Sequence, residues 1–277
     1  MWENYGTLRQ QYKPEADELG ECVKYNFVVK EKVEVNYNTF LMRLERTDGC
    51  KVVVPLGRHV RIFGNVDGQE MSRSYTPVPS SLFGKLKLYD LTVTDSVCLM
   101  IKRYQDGNVS RYLTDREAGD LVHATNPLGD FDLKRLEMRD TFLLLAAGTG
   151  ITPMLSLLVF LLDRRIKKSQ FVRLMFFNKT QRDIPFRNQL EDIEKLDDRL
   201  RVDHVLSEPD ADWVGMSGHV SKEMIDNALQ EHLRDTGYTI RHVFVFVCGP
   251  NPFVALALHE LGELGVVAEE QVHAFRG

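Results

Sequence analysis

Four short stretches carry residue types suited to chemistry on a cofactor, and the first is Gly148-Thr149-Gly150-Ile151-Thr152-Pro153. An uncharged apolar run from Thr141 to Ala147 leads into it, and a second apolar run from Met154 to Leu162 leads out. That order reads as a strand buried on both faces, a glycine bend, and a helix with proline in its first turn. Unpaired N–H groups and the positive end of the helix dipole then face one point, which suits a phosphate or a nucleotide. Gly148 and Gly150 would let another molecule approach the backbone closely. The lysine and second glycine of a P-loop are missing, so this is a different bend. Cys248-Gly249-Pro250-Asn251-Pro252 is a second strand-to-helix bend. Cys248 reads either as a small buried residue at a strand end or as a neighbour of a reactive nicotinamide ring. With no histidine or cation fixed beside it in sequence, it is not read as a nucleophile.

The other two stretches lie earlier. In Arg73-Ser74-Tyr75-Thr76-Pro77, Arg73 offers a permanently charged planar fork suited to a pyrophosphate. Tyr75, two residues on along a strand, shares its face and could cover a flat ring while donating a hydrogen bond. A surface Arg and Tyr pair would look the same. Lys102-Arg103-Tyr104 is followed by Gly107-Asn108-Val109-Ser110, a turn into a short helix with N–H groups open to phosphate oxygens, or a turn like many others.

The elements around these stretches fall into two patterns. Residues 1–20 are polar and read as a tail, a linker or a ragged terminus. Residues 21–135 hold short alternating runs with frequent turns, and predict an antiparallel β-barrel. The expected strands there include a pair between Val52 and Ile62, and Leu86 to Thr94, with Asp48-Gly49 as a hairpin signal. In residues 136–277 apolar strands alternate with amphipathic helices, one of them capped by Ser221 and the last stopped by Gly265. The helix after Pro153 is expected to end near Arg164, Arg165, Lys167 and Lys168. Alternating strand and helix predicts a doubly wound α/β parallel sheet whose ligand lies at the carboxyl ends of its strands, where Gly148 and Gly249 both fall.

Composition narrows the function classes. Lys plus Arg number 35 and Asp plus Glu 40, for a net charge of −5, which argues against nucleic acid as a partner. Cys22, Cys50, Cys98 and Cys248 show no pair spacing, so no metal ribbon, iron–sulfur set or disulfide scaffold is expected, and no metal site. Reduced cysteines fit a cytosolic setting. The N-terminus lacks an apolar signal core, and no apolar run is long enough to be read as a membrane span.

The order of the four stretches resembles the cytochrome b5 reductase branch of the ferredoxin–NADP reductase family. The likeness runs from Tyr25 to Phe275 and includes Pro55-Leu-Gly-Arg-His59, Asn126-Pro-Leu-Gly129 and Arg182-Asp-Ile-Pro-Phe-Arg187. It is similar to the reductase module that some members join to a cytochrome b5 domain in one chain. The resemblance implies FAD in the barrel domain and NADH or NADPH in the second. It implies that Arg73 and Tyr75 hold the FAD pyrophosphate and cover its ring, with Ser74 and Thr76 alongside. Lys102 and Tyr104 would border the flavin, and Val109 and Ser110 would take the phosphates. Thr149 and Thr152 would sit where nicotinamide meets flavin, with Thr149 and Cys248 at the reacting rings. Gly249 and Pro250 would back the nicotinamide and Phe275 close that site. His59 would lie near the flavin, or simply pack in a strand. Asp106-Gly107-Asn108-Val109-Ser110 departs from the family's Gly-Gly-x-Met-Ser, and Ala147-Gly148-Thr149-Gly150 from its Gly-Gly-Thr-Gly. Ser207 stands where NADH-selective members carry an aspartate, so use of both NADH and NADPH is expected.

The implied activity is an NAD(P)H oxidoreductase passing single electrons to a haem acceptor of cytochrome b5 type, on the same or another chain. Lys85, Lys87 and Arg103 would offer that acidic partner a docking face, or be a solvated surface. The implied location is cytoplasmic, including the cytosolic face of the endoplasmic reticulum. The rival readings are a flavoprotein serving another acceptor, such as a ferredoxin, and a nucleotide-binding scaffold without flavin.

Overall fold

A computed structural model of the protein describes residues 23–52, 54–83, 96–129, 131–136, 139–163 and 170–275. The chain divides into two units, with the boundary between Phe131 and Asp132, four residues before the sequence-based expectation. The expected tail (residues 1–20), Cys22, the Leu86 to Thr94 strand with Lys85 and Lys87, and the cations at 164–168 lie outside the described residues.

The first unit holds β1 (Lys24–Asn36), β2 (Thr39–Arg46), β3 (Val60–Val66), β4 (Gln69–Tyr75), β5 (Val97–Lys102) and β6 (Leu121–Thr125). They make one antiparallel sheet in the order β4-β3-β6-β1-β2-β5. Register shifts after Val29 and after Glu34 bend the long β1 and help the sheet curl. Beyond β4, the Val78 N–H donates to Cys98 O on β5 at 2.8 Å, joining the two edges of the half-barrel. Phe27, Met42, Leu44, Ile62, Leu99 and Ile101 fill the inside. Helix α1 (Asn108–Thr114) contributes Val109 and Leu113 to that core. Asp67-Gly68 makes the β3–β4 hairpin with φ of 52° and 79°, as a two-residue turn requires.

Two expectations fail here. Asp48-Gly49 forms a turn but no hairpin, because β2 pairs with β1 and β5, not with β3. Val52 to Arg58 is not a described strand; only the Val60 end of that run enters the sheet. A local turn signal carries no information about which neighbour a strand will choose.

The second unit holds β7 (Thr141–Ala147), α2 (Ile151–Leu161), β8 (Phe171–Asn178), α3 (Arg187–Leu196), β9 (Leu200–Leu206), β10 (Met216–Ser217), α4 (Lys222–Thr236), β11 (Val243–Cys248), α5 (Asn251–Glu263), α6 (Ala268–Gln271) and β12 (Val272–Phe275). Its strands are all parallel, in the order β10-β9-β8-β7-β11-β12. The chain winds outward from β7 to β9, then returns to the other side of β7, so the strand order reverses between β7 and β11. Leu143, Leu145, Met175, Phe177, Val245 and Val247 pack against α4 and α5 on one face. The alternate residues Phe142, Leu144, Phe176, Phe244 and Phe246 are equally buried, and α2 packs on β7, β8 and β11. Burial on both faces is why these strands are apolar runs rather than alternations. Ser221 caps α4, its hydroxyl accepting from Met224 N–H at 3.2 Å. No described helix is long and apolar enough to cross a membrane.

A buried polar cluster ties α4 to the sheet. Arg173 on β8 bonds Asp203 at 2.6 Å, Glu231 at 2.8 Å and the Ala228 carbonyl at 3.1 Å. Next to it the His232 ring meets Thr141 Oγ1 at 2.6 Å. Burial, with Arg173 adding to it, pushes the His232 pKa down to about 4. Its folded value is therefore below its unfolded one, near 6.5, and between the two the unfolded chain binds the extra proton. Stability is expected to fall as pH drops through that window, by about 2 kcal/mol from pH 7 to pH 5. Urea unfolding at both pH values checks this, and His232→Gln should flatten the difference whatever it does at pH 7.

Candidate functional site

In the first unit the site residues cluster at the β4 edge. Arg73 lies opposite Ile62 and Tyr75 opposite Val60. Met71 and Tyr75 pack on the half-barrel core, and Arg73 sits between them on the same side of the strand. Arg73 is nevertheless exposed, and among the described residues its guanidinium donates only to Ser72 O, at 2.8 Å. Among the described residues Arg73 has no carboxylate partner, whereas Arg46 and Arg103 each have one and Arg173 has two. A rigid cation left uncompensated beside an aromatic ring is suited to an anionic ligand. Burial raises the Tyr75 phenol pKa, with Tyr104 adding and Arg73 opposing, so the hydroxyl stays protonated and can donate. Tyr104 is half exposed, at 50 %. Ser74 and Thr76 are half-buried, and Lys102 ends β5 opposite Thr39.

The turn into α1 is closed by Ser110, whose hydroxyl donates to Gly107 O at 3.1 Å and accepts from Tyr104 N–H at 3.3 Å. A Cβ on Gly107 would lie 2.3 Å from that hydroxyl oxygen and 2.9 Å from the Tyr104 Cβ. Glycine is therefore required at this one position of the altered loop. The Ser110 hydroxyl is committed to the turn and the Val109 side chain to the core. What these two residues can offer a phosphate is their backbone N–H groups. Arg103 is held by Thr114 and Asp115, both at 2.6 Å, and so braces the end of α1. His59 is bonded to Leu128 through its backbone, and burial, reinforced by Arg61 and Arg58, lowers its ring pKa.

In the second unit the two glycine bends meet where the strand order reverses. Gly150 approaches the end of β11 so closely that a Cβ on it would fall 2.1 Å from Cys248 O and 2.8 Å from Gly249 N. A Cβ on Gly249 would in turn lie 2.9 Å from the Ala147 Cβ and 2.8 Å from the Phe253 ring. Gly148 takes φ +54° with open space around it. Thr152 is buried and its hydroxyl donates to Thr149 O at 3.1 Å, bracing the bend, while the Thr149 hydroxyl has no partner among the described residues. The half-buried Cys248 thiol is pushed up to about 12 by burial, so it is protonated at neutral pH. Pro250 caps α5. Phe275 ends β12 opposite Cys248, stacked on Phe246 at 5.9 Å and edge-on to His273 at 4.6 Å.

Ser207 follows β9, its N–H donating to Asn178 O at 3.0 Å. Glu208 N–H donates to Lys179 O at 2.8 Å, and their side chains pair at 3.2 Å. The residues expected for the dinucleotide thus share the carboxyl edge of one sheet, the ligand side of such folds. Sequence reasoning missed Asn178 and Lys179, which stand on this edge, and strand β12, which places Phe275. The only sign of the first two was a polar pair ending the apolar run of β8.

Two observations fit the implied groups: for FAD, an arginine with no carboxylate partner among the described residues beside a protonated tyrosine, and for the dinucleotide, a backbone approach that excludes any Cβ. Comparison with known proteins agrees. The oxidoreductase FAD-binding domain family matches residues 25–133, and the oxidoreductase NAD-binding domain family matches residues 144–259. Cytochrome b5 reductase 4 of Xenopus tropicalis is 33% identical over 245 residues, 88% of this chain and 46% of that protein. The chain thus spans about half the length of the first curated relatives it matches. NADH-cytochrome b5 reductase 1 of Candida albicans is 31% identical over 260 residues, 92% of this chain and 81% of that protein. The structure of the CS-b5R domains of human Ncb5or, in its NAD+ form, superposes with a TM-score of 0.83 at 33% identity, covering 92% of this chain and 70% of that one. The chain belongs to the cytochrome b5 reductase family, an oxidoreductase with an FAD-binding half-barrel followed by an NAD-binding parallel-sheet domain.

Proposed function

We propose that this chain takes hydride from NADH or NADPH and delivers electrons singly to a haem protein of cytochrome b5 type, carried on the same polypeptide or another. The carrying observation is the meeting of the Gly148-Thr149-Gly150 and Cys248-Gly249 bends at the reversal of the sheet. Bound FAD would supply the exchange between two-electron and one-electron chemistry. The chain's own part is to bind and orient. Arg73 pairs with the pyrophosphate, and the protonated Tyr75 covers the ring and donates to it. Thr149 and the neutral Cys248 line the nicotinamide side and keep water and charge from it, with Phe275 beside Cys248. Neither need move a proton for hydride transfer.

Ser207 lacks the carboxylate that would repel a 2′-phosphate, and on the same edge the Glu208 carboxylate is paired with Lys179 at 3.2 Å. Reduction of cytochrome b5 by the flavin-loaded protein is the test, with each nucleotide in turn. The ratio of kcat/KM values is expected to be less than about a hundredfold, and Ser207→Asp to raise the NADH preference above that. No reduction of cytochrome b5 would refute the acceptor. A native preference for NADH above a hundredfold would refute the role of Ser207.

A further inference from the structure

Asn178 is the last residue of β8, and its carbonyl takes the Ser207 N–H. The residue is 8 % exposed, and neither Oδ1 nor Nδ2 has a hydrogen-bond partner among the described residues. A carboxamide has two donors and two acceptor lone pairs, and burying all of them unmade is unfavourable. Other buried polar atoms are also orphaned, among them Arg43 Nε, Gln170 Oε1 and the His204 ring nitrogens. Asn178 differs from these by its place. The β7–β8 register sets Ala147 beside Phe177, so Asn178 comes next to Gly148, where β7 gives way to the bend. It stands at the carboxyl edge of the sheet, close to the reversal of strand order.

We infer that Asn178 is a positioning residue for the nicotinamide dinucleotide: its carboxamide acquires its partners from the backbone of the Gly148–Gly150 bend when the dinucleotide seats there. The amide atoms are closed to solvent, so an incoming ligand reaches them through the bend and not directly. Gly148, with φ +54° and open space on its Cβ side, is the residue that can re-set. An unmet hydrogen-bonding group raises the free energy of the ligand-free state, and satisfying it only in the bound state favours binding. The inference rests on the dinucleotide occupying this bend, as proposed above.

The test is a calorimetric titration of NAD+ into the oxidised, FAD-loaded protein, with thermal melting of the same samples. Asn178→Leu is close in size and removes the orphaned groups. It is expected to melt no lower than the native protein without NAD+, to keep its flavin spectrum, and yet to bind NAD+ on the order of tenfold more weakly. A purely structural asparagine would give the opposite pattern. Native affinity in the variant overturns the inference, and so does a lowered melting temperature, which would show that the carboxamide already had partners. If the leucine variant does not fold, Asn178→Ala decides on affinity: a tenfold loss with flavin retained supports the inference, and native affinity overturns it. Failure of the native protein to bind NAD+ would overturn this inference and the proposed function together, which distinguishes the two.

Discussion

Gly150→Ala is expected to lower the rate at which NADH reduces the bound flavin by about a hundredfold or more, while the flavin stays in place. The new Cβ would fall 2.1 Å from the Cys248 carbonyl oxygen and 2.5 Å from its carbon. These are backbone atoms at the end of a buried strand, so no side-chain rotation relieves the contact. The β7 and β11 bends would have to part by the order of 1 Å, a displacement worth about a hundredfold in a positioned reaction. Backbone preference does not account for the effect: Gly150 has φ −60°, where alanine is the better helix former by about 1 kcal/mol. Gly148→Ala separates the two causes: its Cβ side is open, so any loss there reports the strain of φ +54° and the freedom of the bend to re-set, not a clash with β11. Stopped-flow reduction by NADH, read at the flavin band, measures both. A Gly150→Ala protein that reduces at the native rate would show that the two bends do not form the dinucleotide seat.

Arg73→Ala is expected to weaken FAD binding by roughly 10- to 100-fold, so that the purified protein loses flavin on dialysis. The side chain is exposed and, among the described residues, bonds only Ser72 O and has no acidic partner. Its removal should therefore leave the melting of the flavin-free half-barrel nearly unchanged. Arg73→Lys should restore part of the affinity, because an ammonium keeps the charge but not the two-pronged fit to a pyrophosphate. Flavin fluorescence on titration gives the constants. Full flavin occupancy in the alanine variant after exhaustive dialysis would remove Arg73 from the site.

Much of this arrangement was legible before any coordinates. Strands such as β3 announce themselves by period-two alternation, because one face is buried and the other is not, whereas β5 is buried at Val97 to Ile101 in succession. The β7 and β11 strands announce themselves as apolar runs, because both faces are covered. The glycine bends, the Ser221 cap and the short helix after Gly107 are local signals, set by the conformations that a few neighbouring residues allow. Ser110 and Val109 show the limit of such reading: the loop is where it was expected, but one hydroxyl closes the turn and one side chain fills the core.

What the sequence alone determined is the kind of most elements and the glycine bends that end β7 and β11, since periodicity, caps and bends depend on residues near one another in the chain. Only the tertiary structure decided that Asp48-Gly49 starts no hairpin, that Phe275 sits on a strand beside Cys248, and that Gly150 touches the Cys248 backbone. Those facts depend on which strand lies next to which. That choice is made by burial and hydrogen bonding between segments far apart in the chain, which no local pattern records.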